Sequence, residues 1–247
     1  MSQIAAIICA AGSSRRFGGK TKKPFVDVAG RAAFLRSVEL FTERSDVKQV
    51  LLAISPDDEE IVRIKWGANL SFFGVNLCFG GEERFETVAN ALKLLNDDID
   101  LVAVHDAARC CVTAEIIQQV IEAAQANKAA IPACPVIPTL KAVTNGIVSS
   151  TLDRQGIYEA QTPQIFDRTL LIEAYKDLAT LGKQGTCISD DAQLVESHGH
   201  RVAVVETDNS NIKITGPTDV AIAEAILKMQ LKNKPKGPIT PLGEAQW

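Results

Sequence analysis

No apolar run in this chain of 247 residues approaches the ~20 residues that a membrane-spanning helix requires. The start, MSQIAAIICAAG, has no basic leader region, and its apolar stretch runs straight into a Gly-Ser-Arg loop. A first β-strand is expected there, not a signal peptide. A large excess of one charge is missing too: 26 Lys and Arg stand against 30 Asp and Glu, for a net charge of −4. A mildly acidic chain lacks the basic footprint of a general nucleic-acid binder. Neither nucleic acid nor membrane is therefore expected as a partner, and any phosphate site must be local. The six cysteines include no CxxC pair, and buried, reduced thiols in a cytoplasmic protein are expected. Of the three histidines, His198 and His200 stand two apart in an expected turn and are given no role, and HExxH spacing is absent, which leaves a zinc site unsupported. A GxSxG nucleophile elbow, a Walker A loop, a GxGxxG fingerprint and internal repeats are all absent.

Ordinary globular composition is present: 46% of residues are hydrophobic and 23% charged, which excludes wholesale disorder. Continuous apolar runs at 4–9, 49–54, 75–79, 101–105 and 129–134 read as strands. Amphipathic helices are predicted between them at 31–42, 57–65, 85–95 and 114–127. Strands without polar alternation suit a parallel sheet covered on both faces. The fold class expected is thus α/β, a doubly wound, mostly parallel, Rossmann-like sheet. The rhythm breaks at Pro135. Two alternating segments, 139–143 and 147–152, flank Thr144, Asn145 and Gly146, a hairpin signal. A β-arm over about 136–160 is therefore predicted as an insertion, and an isolated hairpin needs support, for which a second subunit is the expected source. Helices at 168–178, 190–198 and 218–230 and a strand at 202–205 follow. One domain is expected over 1–230, with a flexible tail over 231–247 that is rich in Pro, Gly and Lys.

Four clusters can carry chemistry. The loop after the first strand holds Gly12, Gly18 and Gly19 among two serines and five cations, a composition for cradling an anion or simply for a solvated basic loop. Gly80 and Gly81 precede Glu82, Glu83 and Arg84 at a strand-to-helix turn, which also suits a plain helix start. His105, Asp106, Ala107, Ala108 and Arg109 follow a buried strand; a carboxylate at that edge can hold Mg²⁺ beside phosphates or pair with Arg109. Lys213 lies on a strand-like segment just before the last helix, placed either toward a ligand or in solvent.

In this order the segments resemble the 2-C-methyl-D-erythritol 4-phosphate cytidylyltransferase family, from about Ile4 to Leu227. The motifs are AAG…RR…K, GG.ER, HDAAR, LDR at 152–154, QTPQ.F at 161–166, Ser189 with Asp190, and NIKIT at 211–215. The resemblance implies a fold of the nucleotidyltransferase type and attack of a sugar-alcohol phosphate on the α-phosphorus of CTP. It implies that Arg16, Lys23 and Lys213 surround the triphosphate and are catalytic. Asp106 would bind Mg²⁺ or another divalent cation, or orient the phosphates. Ala10, Ala11, Gly12, Gly81, Glu82, Thr87 and Ala107 would line the nucleotide, and Arg109, Thr139, Arg154, Thr162 and Ser189 would meet the second substrate. It further implies a homodimer whose arms embrace, with Arg154 reaching the partner's site. Departures from the family pattern fall at Ser14, at Lys22, Lys23 and Pro24, and at Cys110. They leave Lys22 and Lys23 as rivals for one role. A sister transferase acting on ribitol 5-phosphate and a catalytically silent nucleotide binder are the alternatives.

Overall fold

The computed structural model describes residues 2–12, 14, 17, 22–178 and 188–233. In chain order the strands are β1 (Ile4–Cys9), β2 (Asp27–Val28), β3 (Arg31–Ala32), β4 (Val47–Ile54), β5 (Asn76–Phe79), β6 (Leu101–Asp106), β7 (Ala129–Pro135), β8 (Leu140–Thr144), β9 (Ile147–Leu152), β10 (Tyr158–Ala160), β11 (Gln164–Asp167) and β12 (Ala203–Glu206). The helices are α1 (Ala33–Thr42), α2 (Glu59–Phe72), α3 (Arg84–Leu92), α4 (Ala114–Asn127), α5 (Arg168–Leu178), α6 (Asp191–Ser197) and α7 (Thr218–Asn233).

The main sheet runs β10-β7-β11-β6-β1-β4-β5, with β12 also paired to β7. β5, β4, β1 and β6 are parallel neighbours, and β12 is parallel to β7. β10 and β11 run against them. The sheet is mixed and mostly parallel, as expected. Strand β1 shows why a continuous apolar run is needed. Ile4, Ala6 and Ile8 join the core under α1, α2 and α4, while Ala5 and Ile7 join the one under α3, α5 and α6. Successive side chains alternate faces, so a strand covered on both sides must be apolar at every position. Each fully buried Ile contributes roughly 1.5–3 kcal/mol relative to exposure. A third, smaller cluster packs Val28, Ala108, Cys111 and Ile214 against Ala223 of α7.

Several expectations need correction. The helix predicted at 57–65 begins at Glu59 and continues to Phe72. Val62 and Leu70 are buried, and Trp66 stacks on Phe25, so tertiary packing carries the helix past Gly67 despite its low propensity. Strands β10 and β11 have no counterpart among the predicted strands; they are short, and Pro163 lies between them. The hairpin forms where Asn145 and Gly146 stand, both with positive φ (53° and 77°), the two-residue turn that matches strand twist. However, residues 158–160 belong to the main sheet through β7, so the arm is shorter than 136–160. Helix α7 runs to Asn233, beyond the expected end at 230; the rest of the expected tail, 234–247, lies outside the described residues. The described cysteines, Cys9, Cys78, Cys110, Cys111 and Cys134, are all free thiols; Cys187 lies outside the described residues. Among the described residues no helix is long and apolar enough to cross a membrane.

Candidate active site

The parallel register places Cys9 of β1 opposite Asp106 of β6, so the loops that follow both strands open on one edge of the sheet. A cleft of about 200 Å³ lies there, lined by Ala11, Gly12, Lys23, Gly81, Glu82, Thr87, Asp106 and Lys213 among others. Eight residues expected at the nucleotide thus meet in one place, though they come from four separated segments. Close approach explains the two glycines after β5. A Cβ on Gly80 would collide with the Ala11 and Thr87 side chains, and one on Gly81 with Glu86. Thr87 then accepts the Gly81 N–H at 3.1 Å, tying this turn to α3.

Asp106 is the electrostatic centre. It is 7% exposed. Its Oδ2 accepts from Lys213 Nζ at 2.6 Å, and its Oδ1 faces Arg84 Nε at 3.3 Å. Burial alone would raise this carboxyl, but the charges of Arg84, Lys213 and Arg109 outweigh it and hold the group well below the usual carboxylate range. Lys213 is not in a strand. Its segment is extended and pinned by the fully buried Asn211 and Ile214, with the Ile214 N–H on the Ala108 carbonyl at 2.9 Å. Asp219 accepts the Thr215 and Gly216 N–H groups through one oxygen, which closes the turn into α7.

Lys22 and Lys23 separate clearly. Lys22 Nζ pairs with Asp58 at 2.7 Å, whereas Lys23 lines the cleft. Ser14, with φ of 54°, accepts the Lys23 N–H through its hydroxyl at 3.0 Å, which fastens that end of the first loop. Arg16 lies outside the described residues.

Arg84 is the residue that sequence reasoning missed as a functional group. Its guanidinium bridges Asp106 and the fully buried Asp191 carboxylate, which Nη1 reaches at 2.6 Å. Asp191 also accepts from Tyr175 Oη at 2.5 Å. A signal was available: a cation in the first turn of a helix opposes the macrodipole, so Arg84 at the start of α3 needs a carboxylate partner.

Other expected residues fall elsewhere. Ala10 and Ala107 are buried beneath the cleft and do not line it. Arg109 is buried and donates to the carbonyls of Asn211 at 2.7 Å and Ala160 at 3.1 Å. It also borders a neighbouring hollow of about 510 Å³ that shares Lys213. Thr162 and Ser189 line neither space, Thr162 being buried and Ser189 exposed. Thr139 and Arg154 are exposed on the arm and line neither space. Cys9 does line the cleft, but burial pushes its thiol up to about 12, so it is no nucleophile at neutral pH.

No group of three His, Cys, Asp or Glu stands together among the described residues, so an all-protein metal cage is not formed there. The donor set fits the other mode of Mg²⁺ binding, in which one carboxylate serves and phosphate oxygens and water complete the shell.

Comparison with known proteins agrees with this geometry. Residues 4–229 match the family model described as IspD, 2-C-methyl-D-erythritol 4-phosphate cytidylyltransferase. A protein of that name from Endomicrobium trichonymphae is 40% identical over 225 residues, covering 91% of this chain and 98% of the relative. One from Clostridioides difficile is 34% identical, covering 92% and 95%. The crystal structure of the protein so named from Thermus thermophilus superposes with a TM-score of 0.75 at 34% identity, covering 92% of this chain and all of that one.

Proposed function

The chain belongs to the 2-C-methyl-D-erythritol 4-phosphate cytidylyltransferase family, and on that premise we propose that it joins CTP to 2-C-methyl-D-erythritol 4-phosphate. The products are 4-diphosphocytidyl-2-C-methyl-D-erythritol and pyrophosphate, in non-mevalonate isoprenoid precursor synthesis. The observation that carries this reading is the convergence of Lys23, Lys213 and the ionised Asp106 on one cleft beside Gly81. An oxygen of the acceptor's phosphate attacks the α-phosphorus of CTP. The new P–O bond forms as the bond to the bridging oxygen breaks, and pyrophosphate leaves with that electron pair. Such a transfer needs positioning and charge neutralisation, with no protein nucleophile.

The residues divide that work. Lys213, aimed by its ion pair with Asp106, and Lys23, which also lines the cleft, neutralise charge growing on the phosphates; Arg16 adds a third cation by family resemblance. Ala11, Gly12, Gly81, Glu82 and Thr87 line the nucleotide, and a snug lining of mostly small residues favours a pyrimidine base over a purine. Asp106 would hold Mg²⁺, which would supply further neutralisation of the triphosphate when bound. The protein works as a cytoplasmic homodimer. The exposed arm supports this, because Thr139 and Arg154 flank the base of its ladder and line neither the cleft nor the hollow beside it.

The test is pyrophosphate release with CTP and Mg²⁺, offering methylerythritol 4-phosphate and ribitol 5-phosphate separately. Turnover with the first, lost in excess chelator, is expected. Turnover only with the second keeps the mechanism and reassigns the acceptor. CTP binding without release from either would overturn the proposal.

A further inference from the structure

We propose that His105 is a positioning residue: through the Thr162 hydroxyl it fixes the main chain at Asp106, and so aims the carboxylate that holds Lys213. Its kinetic consequences rest on the cytidylyltransferase reading above; its geometry does not.

The argument begins with a gap in the sheet. Gln164 of β11 pairs with Val104 of β6 in antiparallel register. Continuing that register sets Pro163 opposite His105 and Thr162 opposite Asp106. The ladder ends at Val104. The Asp106 N–H is left without a strand partner on that side. A buried N–H with no acceptor is costly. The Thr162 side chain takes the place of the missing carbonyl, its Oγ1 accepting the Asp106 N–H at 3.0 Å.

The network continues from this hydroxyl. The backbone N–H can only donate, so the Thr162 oxygen accepts, and its single proton must go elsewhere. His105 Nδ1 lies 3.1 Å from the same oxygen. In the proposed network that nitrogen is the acceptor and carries no proton. The ring is fully buried and neither nitrogen touches a carboxylate, so it is neutral and its proton sits on Nε2. There it donates to Ser37 Oγ at 3.2 Å. Phe41 packs edge-on against the ring. The chain of bonds runs from Ser37 on α1, through His105 and Thr162, to the Asp106 backbone. Ser37 and His105 are wholly buried and Thr162 nearly so.

One consequence separates this from a substrate contact. A phosphate needs a donor, and in the proposed network the only Thr162 hydroxyl proton goes to His105. In that network Thr162 acts on the reaction through Asp106, and a phosphate contact from the same hydroxyl is the competing outcome that KM reports. Small displacements matter here, because misplacing a reacting group by 1 Å can cost ~10²-fold in rate.

The experiment has two arms. The first is the imidazole ¹⁵N spectrum of the wild-type protein, in which His105 should show the Nε2-protonated tautomer. An Nδ1-protonated His105 would overturn the proposal whatever the activity. The second is steady-state kinetics of Thr162→Val, Thr162→Ser, His105→Phe and His105→Asn. The Asn oxygen can stand in for Nδ1 as acceptor. Thr162→Val and His105→Phe should each lower kcat about tenfold or more, with KM for methylerythritol 4-phosphate nearly unchanged. The double variant should be little worse than either, because both cut the same chain. Thr162→Ser and His105→Asn should recover most of the rate. A raised KM with kcat intact in Thr162→Val would instead place Thr162 on the substrate. If the wild type turns over neither acceptor, the functional reading fails, while the ¹⁵N result still decides the geometry. Should His105→Phe fail to fold, the near-isosteric Thr162→Val and the wild-type spectrum still decide.

Discussion

Asp106 and Arg154 are expected to serve one reaction, yet the two are held in opposite ways. Asp106 ends a strand that is buried along its whole length, and its carboxylate meets two cations. Arg154 follows a strand whose every residue is exposed, in a hairpin sheet made of β8 and β9 alone. That hairpin leaves Val143, Ile147, Val148 and Leu152 exposed. Around Asp106, a group's position is over-determined by packing and hydrogen bonds within one chain. On the arm, only the turn and the cross-strand ladder act, and apolar side chains await a second surface. The contrast sets a half of the site held rigid within one chain against an arm that, in the proposed homodimer, a second subunit would support.

The largest effect expected comes from the rigid half. Lys213→Ala should lower kcat by about 10²–10³, the scale for losing one preorganised charge, while the thermal unfolding midpoint stays close to wild type. Pyrophosphate release with circular dichroism melting checks both; near-normal kcat would remove Lys213 from the reaction. The arm provides the next. Ile147→Asp is harmless on an exposed monomer surface but would bury a charge in a dimer, so sedimentation should show monomers, with activity lost alongside. Dimers that persist would move the interface elsewhere. Mixing Lys213→Ala chains with Arg154→Ala chains joins the two halves. If Arg154 serves the partner, random pairing should restore about a quarter of wild-type activity, because half the dimers regain one intact site. No recovery would confine each site to one chain.

A smaller effect concerns pH. Burial pushes His105 from 6.5 down to about 4. The unfolded chain therefore binds a proton that the folded one does not as pH falls from 6.5 towards 4, and stability falls with it. Urea unfolding over that range should give a flatter pH dependence for His105→Asn than for wild type. The smallest effect is expected at Lys22. Its partner is Asp58, away from the cleft, so Lys22→Ala should change kcat little and stability by less than about 1 kcal/mol. Lys23→Ala, one residue on, should be far more damaging; equal effects would erase the distinction between the two lysines.

Much of this is legible in the order of residues alone. The parallel core can be read because strands covered on both faces must be apolar throughout, and the arm because Asn145 and Gly146 both accept positive φ. The loop glycines, Asp106 and Lys213 stand out by residue type and place in the chain. Strand β11 is not legible, since Gln164 to Asp167 carry no periodic pattern and owe their conformation to β6 and β7 on either side. Arg84 looks like part of a helix start because its partners Asp106 and Asp191 lie 22 and 107 residues away. The length of α2 escapes the pattern for a related reason: Trp66 is held by Phe25 and Phe34, not by its own helix.

By itself, then, the sequence determined the kinds of groups available and the local conformations that stereochemistry dictates: the buried strands, the Asn-Gly turn, the loops of small and cationic residues. The tertiary structure alone decided their partners. It sent Lys22 to Asp58 and left Lys23 at the cleft, set Arg84 between two carboxylates, and brought the Thr162 hydroxyl to His105. Conformational preference acts over a few residues, whereas these pairings join segments tens to a hundred residues apart, and only the packing of the whole sheet brings them within bonding distance.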